Sequence, residues 1–346
     1  MHCTLVIPGI LTRDSKLIDA LGSFKAPALQ RLLGKGGRES SPWSGIDAWL
    51  LENFEVNRQD DWPSAPFALL GDGEDPGEAC WAHADPVSLR ADRDRLLLAN
   101  AAHLRIQAAE AHGLAAKLSA HFGEAIQIHV AAPDRWYVRL ADPPKGETTP
   151  LASVAGRQLE PGRGAMGWHA LMNEIQMLLH EHPVNEAREA LGEAPINGLW
   201  LWGSGRLACV NTAFHSMAAS HPLARGLARH AGIAGVALPD TAAHWLTGLS
   251  AEGVHVCVHD AMQAALIQGD IATCLDALAQ LERDWFAPLH DALESGSIGM
   301  LTLKLGGDHT LLSVEAIRQD LRRFWRRSKS LSSTLALTDD EPGEPA

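Results

Sequence analysis

Short apolar runs, each stopped by a turn signal, recur along this chain with amphipathic patterns between them. Cys3–Ile7 ends at Pro8-Gly9, Gly198–Trp202 at Gly203-Ser204-Gly205, and Ile298–Leu303 near Lys304 to His309. Gly235–Leu238 and Val254–Val258 are two more such runs with turn-forming neighbours. Apolar runs of this length, bounded by Gly and Pro, read as strands buried on both faces. After Val258 the pattern changes period. Ile271, Leu275, Leu278, Leu281 and Trp285 recur at helical steps and form one apolar stripe. Strands alternating with such helices predict an α/β fold, a core sheet covered by helices.

The chain has 346 residues, enough for one large domain or a core with an insertion. Its middle has a different texture. Gln107–Phe122 reads as a helix, and Ile126–Val130 and Trp136–Leu140 pair as strands around Ala132-Pro133-Asp134. The expected organisation is a core of residues 1–80 plus 168–327, a smaller inserted α+β subdomain of residues 81–167, and a disordered acidic tail at 328–346. The tail reading rests on small polar residues followed by Asp339, Asp340, Glu341 and Glu344.

Composition removes several function classes. A formal net charge of −13 with no extended basic field argues against nucleic-acid binding. The basic run Arg322-Arg323-Phe324-Trp325-Arg326-Arg327 is expected on a terminal helix, as a solvated or partner-docking face. Five scattered cysteines without a CxxC pair indicate neither a disulfide framework nor a structural zinc cluster. MHCTLVIPGIL carries no basic leader and no apolar stretch approaches 18 residues, so the expectation is a cytoplasmic protein without a membrane segment. Trp43, Trp49, Trp62, Trp200, Trp202 and Trp285 stand among apolar neighbours and are expected in the core.

In an open α/β sheet, ligands gather beyond the carboxyl ends of the strands. His255, His259 and Asp260 lie at one predicted end and Asp308-His309-Thr310 at another. Carboxylates and imidazoles from two strand ends suit zinc or manganese, with Asp260, Asp308 and His309 as the candidate ligands and His259 a weaker one. Gly203, Ser204, Gly205 and Arg206 follow an apolar strand and offer backbone donors with a guanidinium, a candidate anion site. Ser204 lacks the first glycine of a G-x-S-x-G elbow, because Trp202 stands there. Gly34-Lys35-Gly36-Gly37-Arg38 lacks the order of a P-loop and reads as a turn.

Several segments, in order, resemble the archaeal-type cofactor-independent phosphoglycerate mutases of the alkaline phosphatase-like superfamily. They are Ala26–Leu32, His182–Arg188, Ile196–Gly205, Val254–Asp260 and Gly307–Thr310, and the resemblance spans about residues 3 to 312. Ala84–Arg95 resembles the bacterial RpfE-type regulatory proteins, a group related to these mutases. The resemblance implies an alkaline phosphatase-like core, two divalent metals and a serine that takes a phosphoryl group. Carried over, Asp260, Asp308 and His309 stand at ligand positions. Pro8-Gly9 stands where the family has Asp-Gly, and residues 261–265 lack the family's downstream histidine. Between Pro42 and Pro66, Ser44 and Ser64 are the available serines, neither in a convincing nucleophile context.

The expectation is therefore a degenerate mutase-like protein without standard phosphoryl transfer, retaining at most one divalent ion. It would bind a small phosphorylated or anionic ligand, a protein partner or a second copy of itself. Two alternatives stay open: a metal-dependent phosphomutase or phosphohydrolase with a rearranged site, and a scaffold or protein-interaction module.

Overall fold

The computed structural model describes residues 1–92, 95–141, 145–154, 158–159, 168–323 and 325–337. In chain order its strands are β1 (His2–Ile7), β2 (Gly37–Pro42), β3 (Cys80–Asp92), β4 (Arg95–Asn100), β5 (Ile126–Ala132), β6 (Arg135–Leu140), β7 (Gln158–Leu159), β8 (Gly198–Gly205), β9 (Phe214–Ala219), β10 (Ala234–Val236), β11 (Val254–Val258), β12 (Met300–Gly306) and β13 (Thr310–Ile317). They form two sheets in two compact units, Met1–Phe54 with Asn211–Ala346, and Glu55–Val210.

The first unit holds a sheet in the order β10-β9-β11-β1-β12-β13-β2. β1 runs parallel to both β11 and β12, with Val6 opposite Val258 and Ile7 opposite Leu305. β13 and β2 turn antiparallel at one edge. Cys3, Leu5 and Ile7 join the core on one face, while Val6 is equally buried on the other. A strand buried on both sides explains the unbroken apolar run. The expected stripe is real: Leu278, Leu281 and Trp285 are buried in that core. The helix Ile271–Leu281 passes through a π-turn at Glu282–Phe286 into the helix Ala287–Ser295.

The second unit is built on β5-β6-β3-β4-β7, with β8 also pairing antiparallel to β3. On one face Ala82, Ala84, Trp136, Val138, Leu199 and Leu201 pack with residues of the helices Ala108–Phe122 and His169–His180. The buried helix Ser64–Gly71 also packs on β3 and β8.

Several boundaries differ from the sequence expectation. Residues 55–80 and 168–210 cluster with the second unit and not with the core, because β8 completes the sheet that contains β3. The segment from 328 is folded as far as Leu337. Leu331 and Leu335, on the helix Leu331–Leu335, are buried in the first core, and Thr12 bridges Ala336. Asp339, Asp340, Glu341 and Glu344, Phe324, and most of the expected exit loop at 142–167 lie outside the described residues. The basic run does not form a terminal helix. It follows the single turn Arg318–Leu321, where Arg323 pairs with Asp320 at 2.8 Å and Arg326 donates to Lys35 O. Trp43, Trp49, Trp200 and Trp285 are buried as expected, whereas Trp62 and Trp202 are half-buried.

Candidate functional site

The parallel strands of the first unit end side by side, and their tips form the edge where the sequence places its metal candidates. His259 and Asp260 follow β11, Pro8 and Gly9 follow β1, and Asp308 and His309 form the turn between β12 and β13. Backbone bonds tie the tips together: His259 N donates to Val6 O at 2.9 Å, Leu11 N to Gly306 O at 3.2 Å, and Trp43 N to His309 O at 2.9 Å. Asp260 caps the helix Ala261–Gln268 by position, with no side-chain capping bond. Burial holds the His259 imidazole below its ordinary pKa, partly opposed by Asp260, and its ring meets Trp285 edge-on at 5.1 Å.

These residues share the strand-tip edge. Among the described residues, no three of His259, Asp260, Asp308 and His309 hold ligand atoms within 4.8 Å of one another. The topology supplies the reason. β11 and β12 flank β1, so their tips stand two strand spacings apart, about 9–10 Å. The strand between them is β1, and its tip is Pro8-Gly9, which carries no ligating side chain. Pro8 is buried and has no ligating side chain. Gly9 sits at φ 79° with the space for a Cβ filled by Gln263, whose Cα would lie 2.9 Å away. The middle of this edge therefore brings no side-chain ligand of its own.

A different trio is close-set. His290, Asp291 and Glu294 bring ligand atoms within 4.8 Å of one another, an arrangement capable of coordinating a divalent cation. His290 is buried and its Nδ1 stands 3.2 Å from Asp291 Oδ1, while both acids are exposed. They sit on the helix Ala287–Ser295 at one-turn spacing.

The same strand-tip edge carries further polar groups: Ser44, which the sequence offers without a convincing nucleophile context, and Asp47 with His221, which sequence reasoning passed over. Ser44 is exposed just before the helix Ile46–Asn53 and one residue after Trp43, whose N–H is bonded to His309 O. Asp47, in the first turn of that helix, lies 3.6 Å from His221, which follows β9. Asp47 Oδ1 and His221 Nδ1 are shut off from solvent without a hydrogen-bond partner. Burial pushes the Asp47 carboxyl above its ordinary pKa, and His221 offsets part of that rise. The sequence signal was slight: an acid inside an apolar helix, and a histidine before the helix-starting Pro222.

The candidate anion residues lie elsewhere, in the second unit, and they are not a loop. Gly203, Ser204 and Gly205 are the last three residues of β8 and are buried. The Gly203 and Ser204 donors are already committed to Asp61. Gly203 N donates to Asp61 Oδ2 at 3.2 Å and to Thr148 Oγ1 at 2.8 Å, the Thr148 hydroxyl bonds Asp61, and the Ser204 N–H also reaches that carboxylate. A carboxylate of the protein itself thus fills the place proposed for a bound anion. The glycines are needed for packing. A Cβ on Gly203 would overlap Ser64 Oγ, and one on Gly205 would overlap Pro63. Arg206 stands apart from them, exposed, with its N–H bonded to Gln59 Oε1 and its guanidinium to Glu78 O.

His182–Arg188 also has a structural explanation. Arg188 is buried, bonded to both Glu110 carboxylate oxygens at 3.0 Å and to Ala194 O and Leu104 O.

No family model matches the chain. A stretch of 48 residues is 42% identical to a probable 2,3-bisphosphoglycerate-independent phosphoglycerate mutase of Geobacter sulfurreducens; it covers 14% of this chain and spans only 12% of that relative. Among solved structures, a cofactor-independent phosphoglycerate mutase from Thermoplasma acidophilum superposes with a TM-score of 0.51 at 18% identity, covering 96% of this chain and 94% of its own. The PH0037 protein from Pyrococcus horikoshii gives a TM-score of 0.57 at 14% identity, with 97% and 93% covered. At such identities the likeness is one of fold: this chain shares a mixed α/β fold with those two structures. Among the described residues no helix is long and apolar enough to cross a membrane.

Proposed function

We propose that this chain is a degenerate phosphoglycerate-mutase-like protein, without standard two-metal phosphoryl transfer, that acts by binding a small anionic ligand in a regulatory role in the cytoplasm. The observation that carries this reading is the tip of β1. Pro8 and Gly9 stand between the Asp260 and Asp308 tips, and Gln263 occupies the space beside Gly9. Two-metal catalysis depends on ligands that hold both ions in a fixed relation to the transferred group. A β1 tip with no ligating side chain between the two candidate ends supports the loss of that arrangement. The regulatory part of the proposal rests on the resemblance of Ala84–Arg95 to the RpfE-type proteins.

The purified protein is expected not to interconvert 2- and 3-phosphoglycerate when manganese or zinc is added. Metal-dependent turnover that disappears in Asp308→Asn would overturn the proposal. It would favour the alternative, a metal-dependent phosphomutase or phosphohydrolase with a rearranged site, for which the exposed Ser44 beside the His309 tip is the supporting observation.

A further inference from the structure

The second unit contains an open cleft of ≈ 740 Å³, lined only by residues of that unit. Its floor is a cross-strand row: Gln127 stands opposite Arg139, and Arg139 opposite Trp81. Paired residues on neighbouring antiparallel strands project from the same face, so these three side chains form one continuous strip. Arg206 closes one end and the loop Asp75–Ala79 forms a wall.

Three side chains give this cavity its binding character. Arg139 is exposed, and among the described residues its guanidinium has no hydrogen-bond or ion-pair partner. Arg206 is held at the margin by Glu78 O, which uses one of its five N–H donors. Trp81 is half-buried, and its ring is fixed from two sides. Its Nε1 donates to Pro76 O at 2.9 Å, and the His129 ring stands edge-on to it, the centroids 6.5 Å apart at 85°. A fixed indole with part of its surface open, between two guanidinium groups, is a stacking platform with anion clamps. The volume lies within the range of small-molecule sites and far exceeds the needs of an inorganic anion.

We infer that this cavity binds a small molecule that carries both a planar ring and an anionic group, with the ring on Trp81 and the anion on Arg139 and Arg206. The inference is independent of the proposed loss of catalysis, because every lining residue belongs to the second unit. A mutase assay and a binding assay on this cavity therefore fail separately.

Adenosine 5′-monophosphate is the probe, titrated into the full chain by calorimetry, with adenosine and inorganic phosphate as separate arms. One saturable site is expected for the monophosphate, with adenosine and phosphate each weaker by at least about tenfold, the scale of a lost charge-assisted bond or a lost ring contact. Arg139→Gln should weaken the monophosphate about ten- to a hundredfold and leave adenosine unchanged. Arg139→Lys should fall between, because it keeps the charge and loses the planar fork. Far-UV circular dichroism of both variants should match the parent, since the replaced side chain is exposed. No saturable heat with the monophosphate overturns the inference. So does equal affinity for adenosine, for inorganic phosphate, or for the monophosphate in Arg139→Gln.

Discussion

Asp47 and Asp61 are carboxylates placed against solvation, and the protein treats them differently. Asp61 is buried among donors: Trp62 N at 2.8 Å, Gly203 N, the Ser204 N–H and the Thr148 hydroxyl. Burial still raises its pKa, with those bonds pulling the other way. Asp47 has one imidazole at 3.6 Å and an oxygen with no bond at all. Its raised pKa means that the folded state holds the proton more tightly than the unfolded state does. The associated stability is complete below the ordinary value of 3.8 and is lost as pH rises through the folded value. Asp47→Asn removes that titration. The stability of the variant relative to the parent, from urea unfolding, should rise as pH climbs from 3.8 towards neutrality. An equal pH slope in both proteins would show that Asp47 carries no such strain.

At the scale of elements, buried polar side chains decide which segments dock where. Arg188 joins three pieces of the second unit: Glu110 in the first turn of the helix Ala108–Phe122, Leu104 O before it, and Ala194 O after the helix Pro183–Ala190. Arg188→Met leaves the Glu110 carboxylate and two carbonyls short of a partner. The expected cost is about 3–5 kcal/mol, the scale for breaking a buried pair from one side. Chemical denaturation should show that loss, and a change under about 1 kcal/mol, the worth of an exposed pair, would mean that the arginine is replaceable there. These elements were unequally legible in the sequence. β11 was readable at its observed limits and β1 within one residue, because strands buried on both faces need unbroken apolar runs. β2 was not readable. Its residues Gly37–Pro42 are polar and mostly exposed, and it exists because β13 presents an edge to pair with. Gly203–Gly205 was mistaken for a loop for a related reason. Glycine there reflects the close approach of Ser64 and Pro63, which only tertiary contact reveals. The strand-tip residues were legible as types and positions. Their relative placement was not, since it depends on which strand lies between β11 and β12.

At the scale of the whole chain, the second unit occupies one continuous stretch, Glu55–Val210, while the first is assembled from both sides of it. The two crossing points are neighbours: Asn211 N donates to Phe54 O at 2.9 Å, and Thr212 Oγ1 donates to Asn53 O at 3.0 Å. Each unit also has its own core. Leu5, Leu29, Leu278 and Leu303 belong to one, and Ala82, Leu114, Trp136 and Leu201 to the other. A continuous segment with its own core and adjacent ends meets the conditions for independent folding. Residues 55–210 expressed alone should therefore give a cooperative unfolding transition and a set of slowly exchanging amides in β3, β6 and β8. The complementary protein, with Phe54 joined to Asn211 through a few glycines, should keep the seven-stranded sheet, because the linker replaces a gap that a hydrogen bond already closes. The two halves also separate the functional claims. The fragment 55–210 should bind adenosine 5′-monophosphate as the full chain does, and the joined protein should not. A fragment 55–210 that melts without cooperativity would show that its core depends on the rest of the chain, and that the unit boundary at Phe54 and Asn211 is not a folding boundary.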